Sequence, residues 1–396
     1  MNRLHPAGIC NSLSLLLSLF LLPLASCSGG GRGGQHTASG GDTLQLHYAD
    51  YLRLIDRPGY TLAELRNPWD TTKLLHTYIL IPAADSLPPT AHLPEGTVVR
   101  TPVRRSLVYS SVHLSLLKDL DAQAAVAGVC DLKYIRMPEI HTAVRGGAIA
   151  DCGDSMNPDI ERVISLHPDA ILLSPFENSG GYGRVEKLAI PLIECADYME
   201  SSPLGRAEWM RFYGRLYGRA AQADSLFDVV EQHYNAMKMQ VAATSHRPSV
   251  MCDLITGSTW YTPGGQSTVA RLYADAGAHY IFADDTHTGS LPYTFERIYE
   301  RGRDADFWLI RYNQPTDKTY SELASEFAGY RGFRAFRECN IYGCNTGIVP
   351  FYEEVPFHPD RFLQDLIRIF HPETVQNAEQ KFYRKLSIQS GSPHQI

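Results

Sequence analysis

The sequence lacks an apolar run long enough to cross a membrane. The longest run, residues 13–24, is shorter than the ~20 apolar residues that a spanning helix needs. It follows Arg3 and leads into small residues, which is typical of a secretory signal. We therefore predict no transmembrane helix and an extracytoplasmic location.

A cysteine directly follows this signal. Leu24-Ala25-Ser26-Cys27 has the pattern that bacterial lipoprotein processing reads, so Cys27 is predicted to carry the lipid; an ordinary signal peptide cut nearby is the alternative. We assign residues 1–27 to the signal and lipobox and residues 28–43 to a flexible, glycine-rich tether. No acidic residue comes directly after the cysteine, which favours an anchor facing the periplasm over surface export.

The patterns of zinc sites and of nucleic-acid binding are also missing. Apart from Cys10 and Cys27, six cysteines remain, and none is part of a C-x-x-C pair. An oxidising compartment permits disulfides, and Cys339 and Cys344 are near enough to close a small loop. The net charge of -7, with scattered cations, offers no basic face for nucleic acid. We expect no nucleic-acid partner.

The apolar pattern of the remaining chain alternates between strand and helix. Residues 44–81, broken at Arg57-Pro58-Gly59 and Asn67-Pro68, predict antiparallel hairpins. Strand-like and helical segments then alternate, which favours an α/β lobe with a mainly parallel sheet. These segments are residues 106–109, 114–120, 125–129, 160–166 and 170–173. We assign residues 44–200 to an N-terminal lobe with a β extension.

A helical pattern follows the first lobe. Ser202-Pro203 is a good start signal, and apolar residues recur every three to four positions as far as Met237, which predicts one long helix. Alternation resumes with residues 250–255 and ends with a helix at 359–370. We therefore predict two α/β lobes, with residues 201–245 as the interlobe helix and 246–396 as the C-terminal lobe.

Two short segments repeat one local pattern. Each segment has a capping residue, a glutamate and a short apolar helix, and an Asp-Ala pair and a strand follow. The first segment contains Glu161 and the second contains Glu296. Each glutamate falls in a first helical turn, where the helix dipole favours a carboxylate. Solvated surface glutamates are the plain alternative, but the matched context favours a pair of docking points, one on each lobe.

The segment from Asp159 to Asp169 resembles a signature of ABC-importer binding proteins for cobalamin, haem and ferric siderophores, with aspartate in place of the usual asparagine. The resemblance covers residues 99–372 and implies two lobes joined by a rigid helix. It also implies that Glu161 and Glu296 pair with arginines of a permease. Residues 66–69 and 175–183 resemble a Bacteroidetes-type subgroup. The resemblance implies a monomer without cofactor that delivers its ligand to an ABC permease.

In the cobalamin-binding relatives, aromatic side chains on the cleft walls contact a flat macrocycle, and several corresponding positions here are aromatic, with Trp260 beside one of them, Tyr261. Planar aromatic surfaces bury a large apolar area at little entropic cost, although core packing is an equally good explanation for each residue singly. An iron chelate or a corrinoid, such as haem, a ferric siderophore or cobalamin, is the expected ligand. The expected contacts are Tyr134, Phe176, Trp260, Tyr261 and Tyr293.

Three alternatives remain open. His113, His141 or His287 could bind a metal ion in the cleft, but none of them shows the spacing of a helical metal motif. An enzyme would need a nucleophile with its base, and neither G-x-S-x-G nor H-E-x-x-H occurs. A surface scaffold could use the same fold without transport. Gly264-Gly265 opens a helix whose start could receive an anion, but a tight turn explains these glycines better.

Overall fold

The structure, a computed structural model, describes residues 42–85, 93–177, 181–374 and 380–388. The predicted signal, Cys27 and the tether up to residue 41 lie outside the described residues, as do residues 178–180 of the glycine-rich loop. Among the described residues, no helix is both long enough and apolar enough to span a bilayer.

The N-terminal extension is a five-stranded sheet in sequential order. Its strands are β1 (Asp42–Leu44), β2 (Leu52–Arg57), β3 (Tyr60–Arg66), β4 (Leu74–Pro82) and β5 (Thr97–Thr101). The first four strands pair antiparallel, which confirms the predicted hairpins, whereas β5 pairs parallel with β4. Pro58-Gly59 turns β2 into β3, with Gly59 at a φ of 86° that favours glycine.

The first lobe has a parallel sheet in the order β12-β11-β6-β7-β8. Its elements are β6 (Ser106–Val108), α1 (Ser111–Asp119), β7 (Val126–Val129), α2 (Pro138–Arg145), β8 (Ala150–Asp151), β9 (Gly153–Asp154), β10 (Asn157–Pro158), α3 (Ile160–Leu166), β11 (Ala170–Leu173) and β12 (Leu192–Glu194). Every residue of β11 is buried, as the apolar run of a central parallel strand requires. Strands β9 and β10 form a small antiparallel hairpin before α3.

The connection between the lobes is made of three helices, not the one helix predicted from Ser202. They are α4 (Pro203–Glu208), α5 (Met210–Leu216) and α6 (Ala220–Ala242). The chain turns at Gly218, whose φ of 66° suits glycine, so that α6 can pack back on α5. A Cβ on Gly214 would lie 2.4 Å from that of Ala223, so this glycine permits close packing. The single long helix between the lobes is therefore α6.

The second lobe repeats the design of the first. Its main sheet has the order β16-β13-β18-β19-β20, parallel except at β20, and β14, β15 and β17 form a smaller antiparallel sheet. The elements are β13 (Ser249–Cys252), β14 (Ile255–Thr256), β15 (Thr259–Pro263), α7 (Thr268–Asp275), β16 (His279–Tyr280), β17 (Ser290–Tyr293), α8 (Phe295–Gly302), β18 (Phe307–Tyr312), α9 (Tyr320–Glu326), α10 (Arg334–Arg337), β19 (Ile341–Asn345), α11 (Phe351–Glu354), α12 (Pro359–Phe370) and β20 (Arg384–Lys385).

Four strands of one main sheet have counterparts in the other, in the order β7-β6-β11-β12 and β16-β13-β18-β19. In each sheet the first strand, β6 or β13, lies between the second strand of that sheet, β7 or β16, and the strand that follows a short helix, β11 or β18. That short helix is α3 in the first lobe and α8 in the second. The pattern repeated around Glu161 and Glu296 in the sequence therefore marks equivalent elements of the two lobes.

The six cysteines beyond the signal are all described, and all are free thiols. Cys339 and Cys344, which the sequence placed near enough for a disulfide, are not bonded. Cys344 is buried on β19, whereas Cys339 lies in the turn before that strand.

Candidate functional site

A cavity of about 610 Å³ opens at the carboxyl ends of β6 and β11. We call it the first-lobe cavity. Tyr109 and Phe176, which follow these two strands, form part of its wall, and Met156 of the β9-β10 hairpin contributes another part. The carboxyl edge of a parallel sheet is the usual place for a ligand, because the strands end there and the loops diverge.

Tyr109 lines the cavity, but its hydroxyl lies inside the lobe. Its hydroxyl is buried and makes no hydrogen bond with any described group. Burial, followed by the nearby Cys130 and Cys152, raises the pKa of Tyr109, so the hydroxyl stays protonated at neutral pH.

Arg184 carries the only charge among the described side chains that line the first-lobe cavity. Its guanidinium is exposed and makes no hydrogen bond or ion pair within the described part of the chain. Ser110, another lining residue, caps α1 by accepting a hydrogen bond from the amide of Val112. The cavity thus combines aromatic surface with one free cation, which suits a partly apolar ligand bearing an acceptor or anionic group.

Of the five aromatic residues predicted to bind ligand, Phe176 is the one that lines this cavity. Tyr134 and Tyr261 are 63% and 53% exposed. Lys133 covers the ring of Tyr134 at 4.8 Å. Tyr293 is half-buried and stacks on Phe282, with ring centroids 4.9 Å apart. These three remain free to contact a ligand but lie outside the first-lobe cavity.

The prediction for Trp260 is corrected by its burial. The indole is fully buried, donates a hydrogen bond of 3.0 Å to the carbonyl of Cys252 and stacks on Trp308. Alternate side chains of a strand point to opposite faces, so Trp260 enters the core while Tyr261 beside it faces outward. Sequence reasoning did not single out Tyr109, Tyr182 or Arg184 as ligand contacts, although Tyr182 lies in the segment 175–183 that carries part of the family resemblance.

The second lobe places an ion pair at the equivalent edge of its sheet. Arg311, near the end of β18, contacts Asp253, which follows β13, with nitrogen–oxygen distances of 3.1 to 3.3 Å. The guanidinium also lies 5.8 Å from the ring centre of Phe351. Asp253 adopts a φ of 63°, so its backbone turns directly after the strand and brings the carboxylate back to Arg311.

The two predicted docking glutamates are exposed and hold equivalent positions. Glu161 is the second residue of α3, capped by Asp159, and Glu296 is the second residue of α8, capped by Thr294. Backbone and Thr294 hydrogen bonds lower the pKa of Glu296, which keeps it ionised. The turn that precedes Glu161 also lines the first-lobe cavity through Pro158 and Ile160.

The histidines considered as metal ligands each have a separate partner. His113 is buried against Asp197, His141 contacts the carbonyl of Ile135 at 2.8 Å, and His287 contacts Asp285. Within the described ranges, no group of three or more histidine, cysteine or acidic residues is arranged to hold a metal ion.

Gly264 and Gly265 form a tight turn. A Cβ on either glycine would lie 2.3 Å from a backbone oxygen, that of His287 or that of Asp285. Close backbone packing therefore explains this glycine pair, as the sequence indicated, and Ser267 caps the helix that follows.

A model of the periplasmic binding protein family matches residues 108–346, from the end of β6 to the end of β19. The chain belongs to this family. The match includes both main sheets except β20 and the first two residues of β6, and it includes α3, α6 and α8. Members of the periplasmic binding protein family are the substrate-binding components of transporters and are not enzymes.

The chain is also similar to individual proteins. The chain is 27% identical to an uncharacterized lipoprotein of Methanocaldococcus jannaschii, over 74% of this chain and 72% of that protein. A periplasmic heme-binding protein of Pseudomonas aeruginosa has a similar fold, with a TM-score of 0.56 and 15% identity, covering 73% of this chain and all of the other. A molybdate-binding protein of Haemophilus influenzae also has a TM-score of 0.56, at 14% identity over 70% and 89% of the two chains.

Proposed function

We propose that this periplasmic binding protein captures an iron chelate or a corrinoid in the cleft between its lobes and delivers this ligand to an ABC permease. We also propose that a lipid on Cys27 anchors the protein to the membrane. The observation that carries the proposal is the equivalent placement of Glu161 and Glu296 on α3 and α8. The start of α3 also borders the first-lobe cavity, so docking and ligand capture would share one face of the first lobe.

The docking role rests on charge and exposure. Both carboxylates lie in first turns, where they are free of ion pairs within the described residues and can meet arginines of a permease. Exposed ion pairs are individually weak, but two at a fixed separation bind together and select one orientation.

The proposed ligand class rests on the residues that line the first-lobe cavity. Phe176, Tyr109 and Tyr182 offer aromatic surface, and Arg184 offers a cation for a carboxylate such as a haem propionate or a siderophore acid. A volume of about 610 Å³ is in the range of small-molecule sites. Tyr134, Tyr261 and Tyr293 are proposed as further contacts from the rim. The heme-binding protein of Pseudomonas aeruginosa supports this class by its fold.

Binding to a panel of candidates tests the ligand class. The purified mature protein is titrated with haemin, cyanocobalamin and ferrioxamine B, and absorption spectra and native mass are recorded. We expect one stoichiometric complex, weakened by about tenfold or more in Phe176→Ala, because truncation removes buried aromatic contact. Met239→Ala, at a 74% exposed position on α6, is the matched control and should bind like the wild type. No complex with any member would contradict the proposed ligand class.

A transport assay distinguishes docking on the permease from capture of the ligand. The double variant Glu161→Ala, Glu296→Ala should retain ligand affinity and lose uptake in cells that depend on this protein. Glu338→Ala removes an exposed glutamate elsewhere on the second lobe and serves as the charge control. Normal uptake by the double variant would refute the docking role.

The anchor has its own test. We expect Cys27→Ser to abolish incorporation of labelled palmitate and to release the protein from the membrane fraction. The lipoprotein of Methanocaldococcus jannaschii supports this part of the proposal. Retention of label in Cys27→Ser would contradict it.

A further inference from the structure

A second cavity of about 500 Å³ lies next to the first-lobe cavity. It is bounded by the edge strand β12 of the first lobe and by β4 and β5 of the N-terminal sheet, through residues such as Leu192, His76 and Thr97. Tyr182 lines both cavities. Its side chain therefore stands in the partition between them.

The hydroxyl of Tyr182 is held by a chain of contacts that begins in the N-terminal sheet. It donates a 2.5 Å hydrogen bond to Oε1 of Glu194, whose side chain is buried. The other carboxylate oxygen, Oε2, lies 3.1 Å from Nδ1 of His76, and Nε2 of His76 lies 2.8 Å from the hydroxyl of Thr97. Among the described residues, these contacts to the Tyr182 hydroxyl and to its partner come from the first lobe and from the N-terminal sheet.

The extension is itself fixed at this point. The hydroxyl of Tyr78, on β4, donates to the carbonyl of Leu192 and accepts a hydrogen bond from the amide of Glu194, both at 2.8 Å. The imidazole of His76 stacks on the Tyr78 ring, with centroids 4.3 Å apart. Side chains from one strand of the extension therefore set both the backbone and the carboxylate of Glu194.

The two cavities differ in charge. The described lining of the first carries Arg184, whereas that of the second carries the carboxylates of Glu186 and Glu194 beside His76. Removing the Tyr182 ring would join a space with a free cation to a space with two carboxylates. The joined space would be larger and would no longer favour an anionic ligand.

We propose that Tyr182, positioned by Glu194 and by His76 of the N-terminal sheet, determines specificity by limiting the size and charge of what the first-lobe cavity accepts. This inference rests on the proposed function, because it assigns a role within the same ligand site. It gives the N-terminal sheet a part in ligand selection: the sheet supplies the residue that holds the partition.

Two probes with the same chelating groups and different charges test selection. Ferrichrome and ferrioxamine B are ferric trihydroxamates that differ in charge, the first neutral and the second cationic. We expect Tyr182→Ala to shift the affinity ratio toward ferrioxamine B by about three- to tenfold, since the Glu194 and Glu186 carboxylates become accessible. Glu194→Ala releases the Tyr182 hydroxyl but leaves only the Glu186 carboxylate, so it should shift the ratio in the same direction by less than Tyr182→Ala does. Glu194→Gln, which keeps an acceptor for Tyr182, should keep the ratio close to that of the wild type. Met239→Ala should leave it unchanged.

Hydrogen exchange tests the positioning without any ligand. In the full-length mature protein, His76→Phe, which can still stack on Tyr78, and Glu194→Ala should raise deuterium uptake in residues 181–188. Uptake in α1, in the same lobe, should stay at the wild-type level. Unchanged uptake in residues 181–188, or a rise across the whole lobe, would overturn the inference.

The two proposals fail in different ways. If the wild type binds neither probe, the iron-chelate function loses support, while the exchange experiment still decides whether His76 and Glu194 hold the partition. If the wild type binds but all variants keep the wild-type affinity ratio, the role of Tyr182 in selection is refuted and the proposed function stands.

Discussion

His113 and Asp197 form a fully buried ion pair, with 2.9 Å between Nε2 of the imidazole and Oδ1 of the carboxylate. Tyr213 donates to the same oxygen at 2.9 Å, and Arg206 lies 3.1 Å from the other. The pair joins α1 of the first lobe to the segment that leads into the connecting helices. Burial alone would raise the pKa of Asp197, but the His113 charge and hydrogen bond lower it to about 2.

Asp197→Asn should destabilise the protein strongly. The variant leaves His113 and Arg206 without their buried counter-charge, and breaking such a pair costs about 3–5 kcal/mol. Urea denaturation followed by tryptophan fluorescence measures the loss. Asp228→Asn, which changes the exposed partner of Arg211, should cost less than ~1 kcal/mol. Equal effects of the two variants would contradict the buried pair.

The same pair predicts a loss of stability in alkali. Burial lowers the pKa of His113, but the adjacent Cys195 and the Asp197 carboxylate raise it to about 10, above the ordinary value of 6.5. A raised pKa stabilises the fold fully below pH 6.5, and this contribution is lost as the pH rises through about 10. The midpoint of urea unfolding should therefore fall between pH 7 and 10 more steeply in the wild type than in His113→Gln. Parallel slopes would refute this origin.

Glu208 fixes the N-terminal segment to the connecting helices. Its buried carboxylate accepts hydrogen bonds from the amides of His47, Tyr48 and Ala49 at 2.8 to 2.9 Å. Glu208→Ala leaves three amides without acceptors, so we expect a loss of about 3 kcal/mol or more and faster proteolysis near residue 48. Glu338→Ala is the control for a lost exposed carboxylate. Unchanged proteolysis in Glu208→Ala would show that other contacts hold the segment.

The neighbours Trp260 and Tyr261 should respond in opposite ways. Trp260→Ala removes a fully buried indole and should cost about 3–5 kcal/mol of stability. Tyr261→Ala removes an exposed ring, so stability should change by less than ~1 kcal/mol, and any effect should fall on ligand affinity. Thermal denaturation and the ligand titrations together distinguish the two. A stable Trp260→Ala variant with weakened binding would restore the original interpretation of Trp260.

Much of the secondary structure could be predicted because its signals are local. The helix at 359–370 was predicted at its observed bounds, since proline marks its start and apolar spacing defines one face. The prediction of one long connecting helix was wrong. Apolar residues keep their spacing through α5 and α6, whereas the turn at Gly218 depends on packing between these two helices. Apolar periodicity shows which face of a helix is buried, but it does not show where the chain turns back on itself.

The sequence by itself determined the alternation of two α/β lobes, the β extension and the equivalence of Glu161 and Glu296, because caps, dipoles and apolar periods act within a few residues. Only the tertiary structure decided which aromatic rings are buried and where the cavities lie. Tyr78 and Glu194 meet across 116 positions of sequence, and Tyr48 and Glu208 across 160. No local pattern encodes such distances, because these contacts form only when the extension packs on the first lobe and on the connecting helices.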